Sequence, residues 1–229
     1  MAAQLKNQPT YIRDLREKGY AIIPNVLSQE EIQEYKQASN EWRGRIPDYA
    51  ANYAQMTIHG IHKYCQAGQQ LHAWLIRTNP NVLRVFAEIH NTTELAVSFD
   101  GSFYSSEETQ PENSSWIHVD PNIKTTQGFV SVTSNEKTTF VCYERSHIED
   151  YPKIAQGIHS FKIIDPDYLE HIAYKRRVLS VPAGSLVIWD SQTFHCNQFD
   201  ATEPSREVQY VCYMPKDDPR YNWETRRGY

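Results

Sequence analysis

The sequence has no C-x-x-C pair: its four cysteines, Cys65, Cys142, Cys196 and Cys212, stand apart from one another. That excludes a zinc ribbon and a thioredoxin-type motif. No apolar run approaches the roughly 20 residues that span a bilayer, so no membrane partner is expected. The opening stretch MAAQLKNQPTYIRDLREKGY lacks the apolar segment of a secretory leader. The expectation is a cytoplasmic, reduced protein in which the N-x-[ST] sequons at Asn91 and Asn113 are chance matches. Clustered basic charge is missing too. With 23 Lys and Arg against 28 Asp and Glu, the formal charge is only −5. No nucleic-acid partner is expected from that balance, and a highly phosphorylated ligand is disfavoured. The short run Lys175-Arg176-Arg177 reads as a solvated turn or strand end. There is no internal repeat and no low-complexity segment.

What is present is aromatic side chain: fifteen tyrosines and five tryptophans in 229 residues. Strands in a barrel or sandwich use such residues well. The N-terminal third reads helical. Tyr11 to Lys18 forms a short helix stopped by Gly19, and Tyr20 to Ile23 a short strand ended by Pro24. Ser28 with Glu31 makes a capping box for a second helix, whose apolar face is Ile32, Tyr35, Ala38 and Trp42. Asn81 to His90 is a third helix, started by Pro80. Beyond residue 94 the pattern changes to short β-branched and aromatic runs: 95–99, 128–132, 138–143, 177–181, 185–189 and 207–214. Tyr151 to Tyr174 reads as an insertion with a short helix. The fold class expected is mainly β with flanking α-helices around a jelly-roll core. One domain spans 1–229, helical over about 1–94 and β over about 95–215.

The chemistry-bearing residues begin with His118-Val119-Asp120. Residues two apart on a strand share a face, so the imidazole and the carboxylate converge. A second histidine would complete the two-His, one-carboxylate set that holds non-haem Fe(II) and leaves open positions. The plain alternative is a surface histidine and a turn aspartate before Pro121. His195 follows a turn (Pro182-Ala183-Gly184) and an apolar strand, at the strand's mouth. It is a third ligand or a buried histidine satisfied by a carbonyl. Arg206 comes eleven positions later and opens the strand from Glu207 to Met214. Turned inward it would grip a planar carboxylate through two bonds; turned outward it is an exposed edge arginine.

Four stretches, taken in order, resemble the phytanoyl-CoA dioxygenase-like group of Fe(II)/2-oxoglutarate oxygenases. They are Gly19 to Ile32; Trp116-Ile117-His118-Val119-Asp120; Arg145-Ser146-His147, where the group usually has glycine first; and Gly184 to His195 with Arg206 beyond. The resemblance implies a double-stranded β-helix and Fe(2+) on His118, Asp120 and His195. It implies 2-oxoglutarate as cosubstrate, with its distal carboxylate on Arg206 and Asn197 nearby, O2 as oxidant and ascorbate as an optional reductant. Succinate and CO2 are released, and a small molecule or side chain is hydroxylated. Aspartate at 120 disfavours the halogenating variant. Val208 stands where the group often has a serine, so the second carboxylate contact falls to Thr193, Gln127 or Tyr104.

Rival features have their own readings. His147-Ile148-Glu149 is a second His-x-carboxylate triplet, in a turn context. His59, His62 and His72, among Tyr49, Tyr53, Tyr64 and Trp74, belong to a lid or, by preference, a packing layer over 43–77. Phe99 to Tyr104 is a substrate entrance or an ordinary turn. Cys196 faces away from His195. The alternatives to an oxygenase are a catalytically silent metal-binding or sensing module and a cupin-like enzyme using another divalent metal. Oligomeric state and substrate are left open.

Overall fold

A computed structural model describes residues 8–112, 116–120, 124–157 and 161–219. Five helices precede the main run of strands: α1 (Thr10–Lys18), α2 (Gln29–Gly44), α3 (Tyr49–Met56), α4 (Leu71–Arg77) and α5 (Pro80–His90). Three short ones, α6 (Ser146–Glu149), α7 (Tyr151–Ile154) and α8 (Pro166–His171), fall between later strands. The strands are β1 (Tyr20–Ile23), β2 (Thr57–Ile58), β3 (Ile61–His62), β4 (Leu95–Val97), β5 (Ser102–Ser105), β6 (His118–Val119) and β7 (Thr126–Ser131). They continue with β8 (Thr139–Tyr143), β9 (Lys162–Ile163), β10 (Arg176–Val178), β11 (Leu186–Asp190), β12 (His195–Gln198) and β13 (Arg206–Pro215). No helix of the described residues is long and apolar enough to cross a membrane.

The strands form two antiparallel sheets. The larger runs β1-β11-β7-β13-β5-β3-β2, with β4 also on β13; the smaller runs β10-β8-β12-β6-β9. Side-chain alternation sorts each strand into two faces. On β11, Leu186 and Ile188 join Ile32, Tyr35, Val82 and Phe86 of the helices, whereas Val187 and Trp189 turn inward. The inward layer joins both sheets: Phe103, Phe129 and Val208 of the larger meet Phe140 and Cys142 of the smaller. A third cluster, including Val119, Val141, Cys196 and Leu169, covers the outer face of the smaller sheet with the 151–174 segment.

Local signals explain the helical part. The capping box is present in full: Ser28 Oγ accepts from the Glu31 backbone N–H, and Glu31 accepts from the Ser28 backbone N–H. Ile32, Tyr35, Ala38 and Trp42 are all buried; an isoleucine buried in this way is worth roughly 1.5–3 kcal/mol of apolar transfer and the alanine methyl roughly 0.8 kcal/mol. Gly19 ends α1 at φ +92, a conformation that disfavours a side chain. A Cβ there would also lie 2.5 Å from Thr193 Oγ1 and 2.6 Å from His147 Nδ1. Arg145, where the resembling group has glycine, also takes a left-handed conformation at φ 65. Its guanidinium bonds Glu149, which offsets part of that strain.

The N-terminal third is less purely helical than its pattern suggests. Besides β1, the strand expected at Tyr20–Ile23, which pairs with β11, the β2–β3 hairpin joins the larger sheet through Ile61 and Phe103. The 43–77 segment divides between two jobs. His72 packs fully buried against Tyr35 and Trp42, while the hairpin hangs over a cavity. Its tip, His59-Gly60, has φ 51 and φ 80, the positive-φ pair a two-residue hairpin turn requires.

Candidate metal centre and ligand pocket

His118 and His195 come together because β6 and β12 are neighbours in the smaller sheet, with these two residues as Cα partners. Their ring centroids are 4.3 Å apart. Asp120 lies two residues beyond His118 on the same face, and its Oδ2 is 3.6 Å from His195 Nε2. One donor atom from each of the three lies within 4.8 Å of the others, a geometry that can hold a metal ion. Each imidazole is held by a backbone carbonyl two residues upstream. His118 Nδ1 is 3.1 Å from Trp116 O, and His195 Nδ1 is 2.8 Å from Thr193 O. A carbonyl accepts only, so Nδ1 carries the proton and Nε2 keeps its lone pair for a metal, as is usual for ligating histidines. Burial drives His118 down to about 3 and His195 down to about 4. Both rings are then neutral at physiological pH, the form that binds metal. Burial also pushes the Asp120 carboxyl upward, against bonding from Gln127.

A cavity of about 570 Å³ opens on this triad. Asn197, Gln127, Tyr210 and Trp189 line it. Arg206 lies behind Asn197 and Tyr210, 1% exposed, with its guanidinium over the rings of Phe103 and Phe129 at 4.7 and 5.0 Å. Its Nη1 donates to Asn197 Oδ1 at 2.8 Å, and Asn197 Nδ2 donates to the Tyr210 hydroxyl at 2.7 Å. Its Nη2 has no partner among the described residues. Burial lowers the Arg206 guanidinium from its ordinary value, yet arginine stays cationic in proteins. A buried cation with unused donors calls for an anion.

Gln127 and Asn197 therefore line the cavity with the triad, and Asn197 links it to Arg206, while Thr193 and Tyr104 are not in the lining. Thr193 sits in the turn between β11 and β12, and its hydroxyl donates to Gly19 O at 2.9 Å, away from the cavity. Only its carbonyl serves the site, by holding His195. Tyr104 pairs with Glu207, one residue out of phase with Arg206. It therefore faces the helices, where Arg43 stacks over its ring at 3.7 Å. His147 begins no second metal pair: it sits on α6 and its Nε2 lies 3.1 Å from Arg16 O. Cys196 faces the outer cluster. Sequence reading missed Tyr210. The signal was available, since Arg206, Val208 and Tyr210 are successive inward positions of one strand.

Four imidazoles are buried neutral: His62 and His195 at about 4, His72 and His118 at about 3, each because burial disfavours the cation. A free histidine titrates near 6.5. Because the folded values lie below the unfolded one, the stabilisation is full above about pH 6.5 and is lost as pH falls towards the folded values. Between pH 7 and 5, His62 and His72 are each expected to cost about 2 kcal/mol of unfolding free energy, with His118 and His195 acting in the same direction. Urea unfolding of metal-free protein at the two pH values measures this. An unchanged midpoint would mean that these rings keep their ordinary proton affinity in the folded protein.

No family model matches the sequence. A curated relative, "Ava biosynthesis cluster protein O" of Aspergillus versicolor, is 25% identical over 235 residues, covering 89% of this chain and 76% of the relative. Among solved structures, the non-heme alpha ketoglutarate dependent carbocyclase SnoK from nogalamycin biosynthesis superposes with a TM-score of 0.67 at 19% identity, over 93% of this chain and 86% of SnoK. HygX of Streptomyces hygroscopicus, solved with nickel, 2-oxoglutarate and hygromycin B bound, gives 0.58 at 10% identity, over 94% and 90%. The chain thus has the fold of the non-heme 2-oxoglutarate-dependent enzymes.

Proposed function

We propose that this protein is an Fe(II)- and 2-oxoglutarate-dependent oxygenase of the phytanoyl-CoA dioxygenase-like kind, a hydroxylase of a small molecule or side chain. We read its two sheets as one jelly-roll domain with the helices as its flank. The observation that carries the reading is a pairing. A two-histidine, one-aspartate triad lines the cavity, and behind Asn197 of the same lining lies a buried arginine whose Nη2 has no partner among the described residues. His118, Asp120 and His195 would hold the metal, and two nitrogens with one carboxylate suit Fe(II). Arg206 Nη2 would take the distal carboxylate of 2-oxoglutarate. Tyr210 is the next inward hydroxyl on that strand, in place of the serine that Val208 displaces. When bound, iron and 2-oxoglutarate supply the oxidative decarboxylation that yields succinate and CO2 and delivers oxygen to a C–H bond. The chain's own contribution is to orient both ligands and shield them with Phe140, Trp189 and Phe129. A silent metal-binding module would gain nothing from a buried Arg206 whose Nη2 has no partner among the described residues.

The test is succinate release from 2-oxoglutarate in air with Fe(II) and ascorbate, against a panel of candidate molecules. The expected result is release stimulated by at least one of them, whose product carries one added oxygen atom. No succinate under any condition would contradict the reading.

A further inference from the structure

Two buried polar atoms of the cavity lining have no partner among the described residues: the Trp189 indole Nε1–H and the Gln127 Oε1. Their adjacency is built into the sheet. Gln127 on β7 and Trp189 on β11 are Cα partners, so both side chains leave on the same face with Cβ atoms about 5 Å apart. Each is fixed elsewhere. Gln127 bonds the Asp120 carboxylate, an acceptor, so its amide N–H points there and its oxygen is left over. Trp189 is 4% exposed and wedged against Phe140, His195 and Phe129 at 4.6, 5.2 and 5.9 Å.

A bare donor beside a bare acceptor selects chemically. A carboxylate can only accept, so it would satisfy the indole and oppose the Gln127 oxygen. An ammonium fails the other way. A hydroxyl, or a carboxamide, donates and accepts and so satisfies both. The rest of the cavity is rich in rings. His59 at the hairpin tip stacks on Trp116 at 4.2 Å, 9° from parallel, and Trp116 stacks on His118 at 4.7 Å and 8°. Phe99 and Phe161 line the cavity at 61% and 60% exposure. Of the described lining residues, the only carboxylates are Asp100 and Asp120, and Lys63 is the only lysine or arginine.

We propose that Gln127 and Trp189 form a polar subsite for one neutral donor–acceptor group, a hydroxyl or a carboxamide, carried on an otherwise apolar, ring-containing small-molecule substrate. The inference rests on the oxygenase reading only in calling that molecule the substrate.

The probes are 2-naphthol, 2-naphthamide and 2-naphthoate. They are titrated by calorimetry into the protein as purified, and again with Fe(II) and 2-oxoglutarate under argon. The naphthol and the amide are expected to bind at least roughly tenfold more tightly than the carboxylate, because an opposed buried acceptor costs its full desolvation. Trp189→Phe and Gln127→Leu should each erase most of that preference. Equal binding of all three probes, no binding of any, or an unchanged preference in both variants would overturn the subsite. So would a Trp189→Phe protein that loses 2-oxoglutarate and keeps the preference, since the indole would then serve the cosubstrate. Failure of the oxygenase reading is a separate result: the preference would persist while Fe(II) and 2-oxoglutarate bound nowhere.

Discussion

His118→Ala is expected to lose its metal while keeping its fold. The imidazole contributes one of three donors that lie within 4.8 Å of one another, and no other His, Cys, Asp or Glu of the described residues joins that cluster. Changes to the groups that merely orient a ligand cost about 10–100-fold in metal affinity. Removing a ligand itself should cost more than about 100-fold. The same is expected of Asp120→Ala and His195→Ala. The fold should survive because His118 sits at the start of a two-residue strand, and the apolar residue that follows it, Val119, packs on the other face. Titration of Fe(II) or Ni(II) followed by calorimetry reads the affinity, and circular dichroism checks the fold. A His118→Ala protein that bound metal like the parent would remove the triad from the account.

The second large effect is expected at Arg206. Arg206→Gln should retain metal and lose 2-oxoglutarate, because Arg206 touches Asn197, Tyr210 and two phenylalanine rings but none of the triad. Truncating one partner of a buried, hydrogen-bonded charge pair costs about 2–5 kcal/mol. That corresponds to a weakening of roughly 30-fold to several thousand-fold in 2-oxoglutarate affinity. Arg206→Lys keeps the charge and loses the planar fork, so it should fall between. Unchanged 2-oxoglutarate binding in Arg206→Gln would place the carboxylate elsewhere.

The helices were easy to read because their signals are local. A capping box, an apolar stripe and a glycine stop are short-range facts, and α1, α2 and α5 follow them. The long apolar strands were equally legible. The strands that build the centre were not. β12 begins His-Cys-Asn-Gln and offers little apolar alternation, and β2 and β3 have only two residues each. Such strands exist because their neighbours pair with them. Period-two reasoning put His118 and Asp120 on one face and would have put Tyr210 beside Arg206. It did not extend to Thr193, which sits in a turn where alternation lapses. It did not extend to Tyr104 either, whose face depends on pairing with Glu207, 103 residues further along the chain. Arg206's burial against Phe103 and Phe129 is likewise set by which strands become neighbours.

One measurement bears on the central claim most directly. Fe(II) and 2-oxoglutarate are added together to the protein under argon, and the visible spectrum is recorded for the weak band that arises when the keto acid chelates the metal. The account predicts the band in the parent protein. It predicts no band in His118→Ala, and none in Arg206→Gln at the same 2-oxoglutarate concentration. No band in the parent, or an undiminished band in His118→Ala, would contradict it.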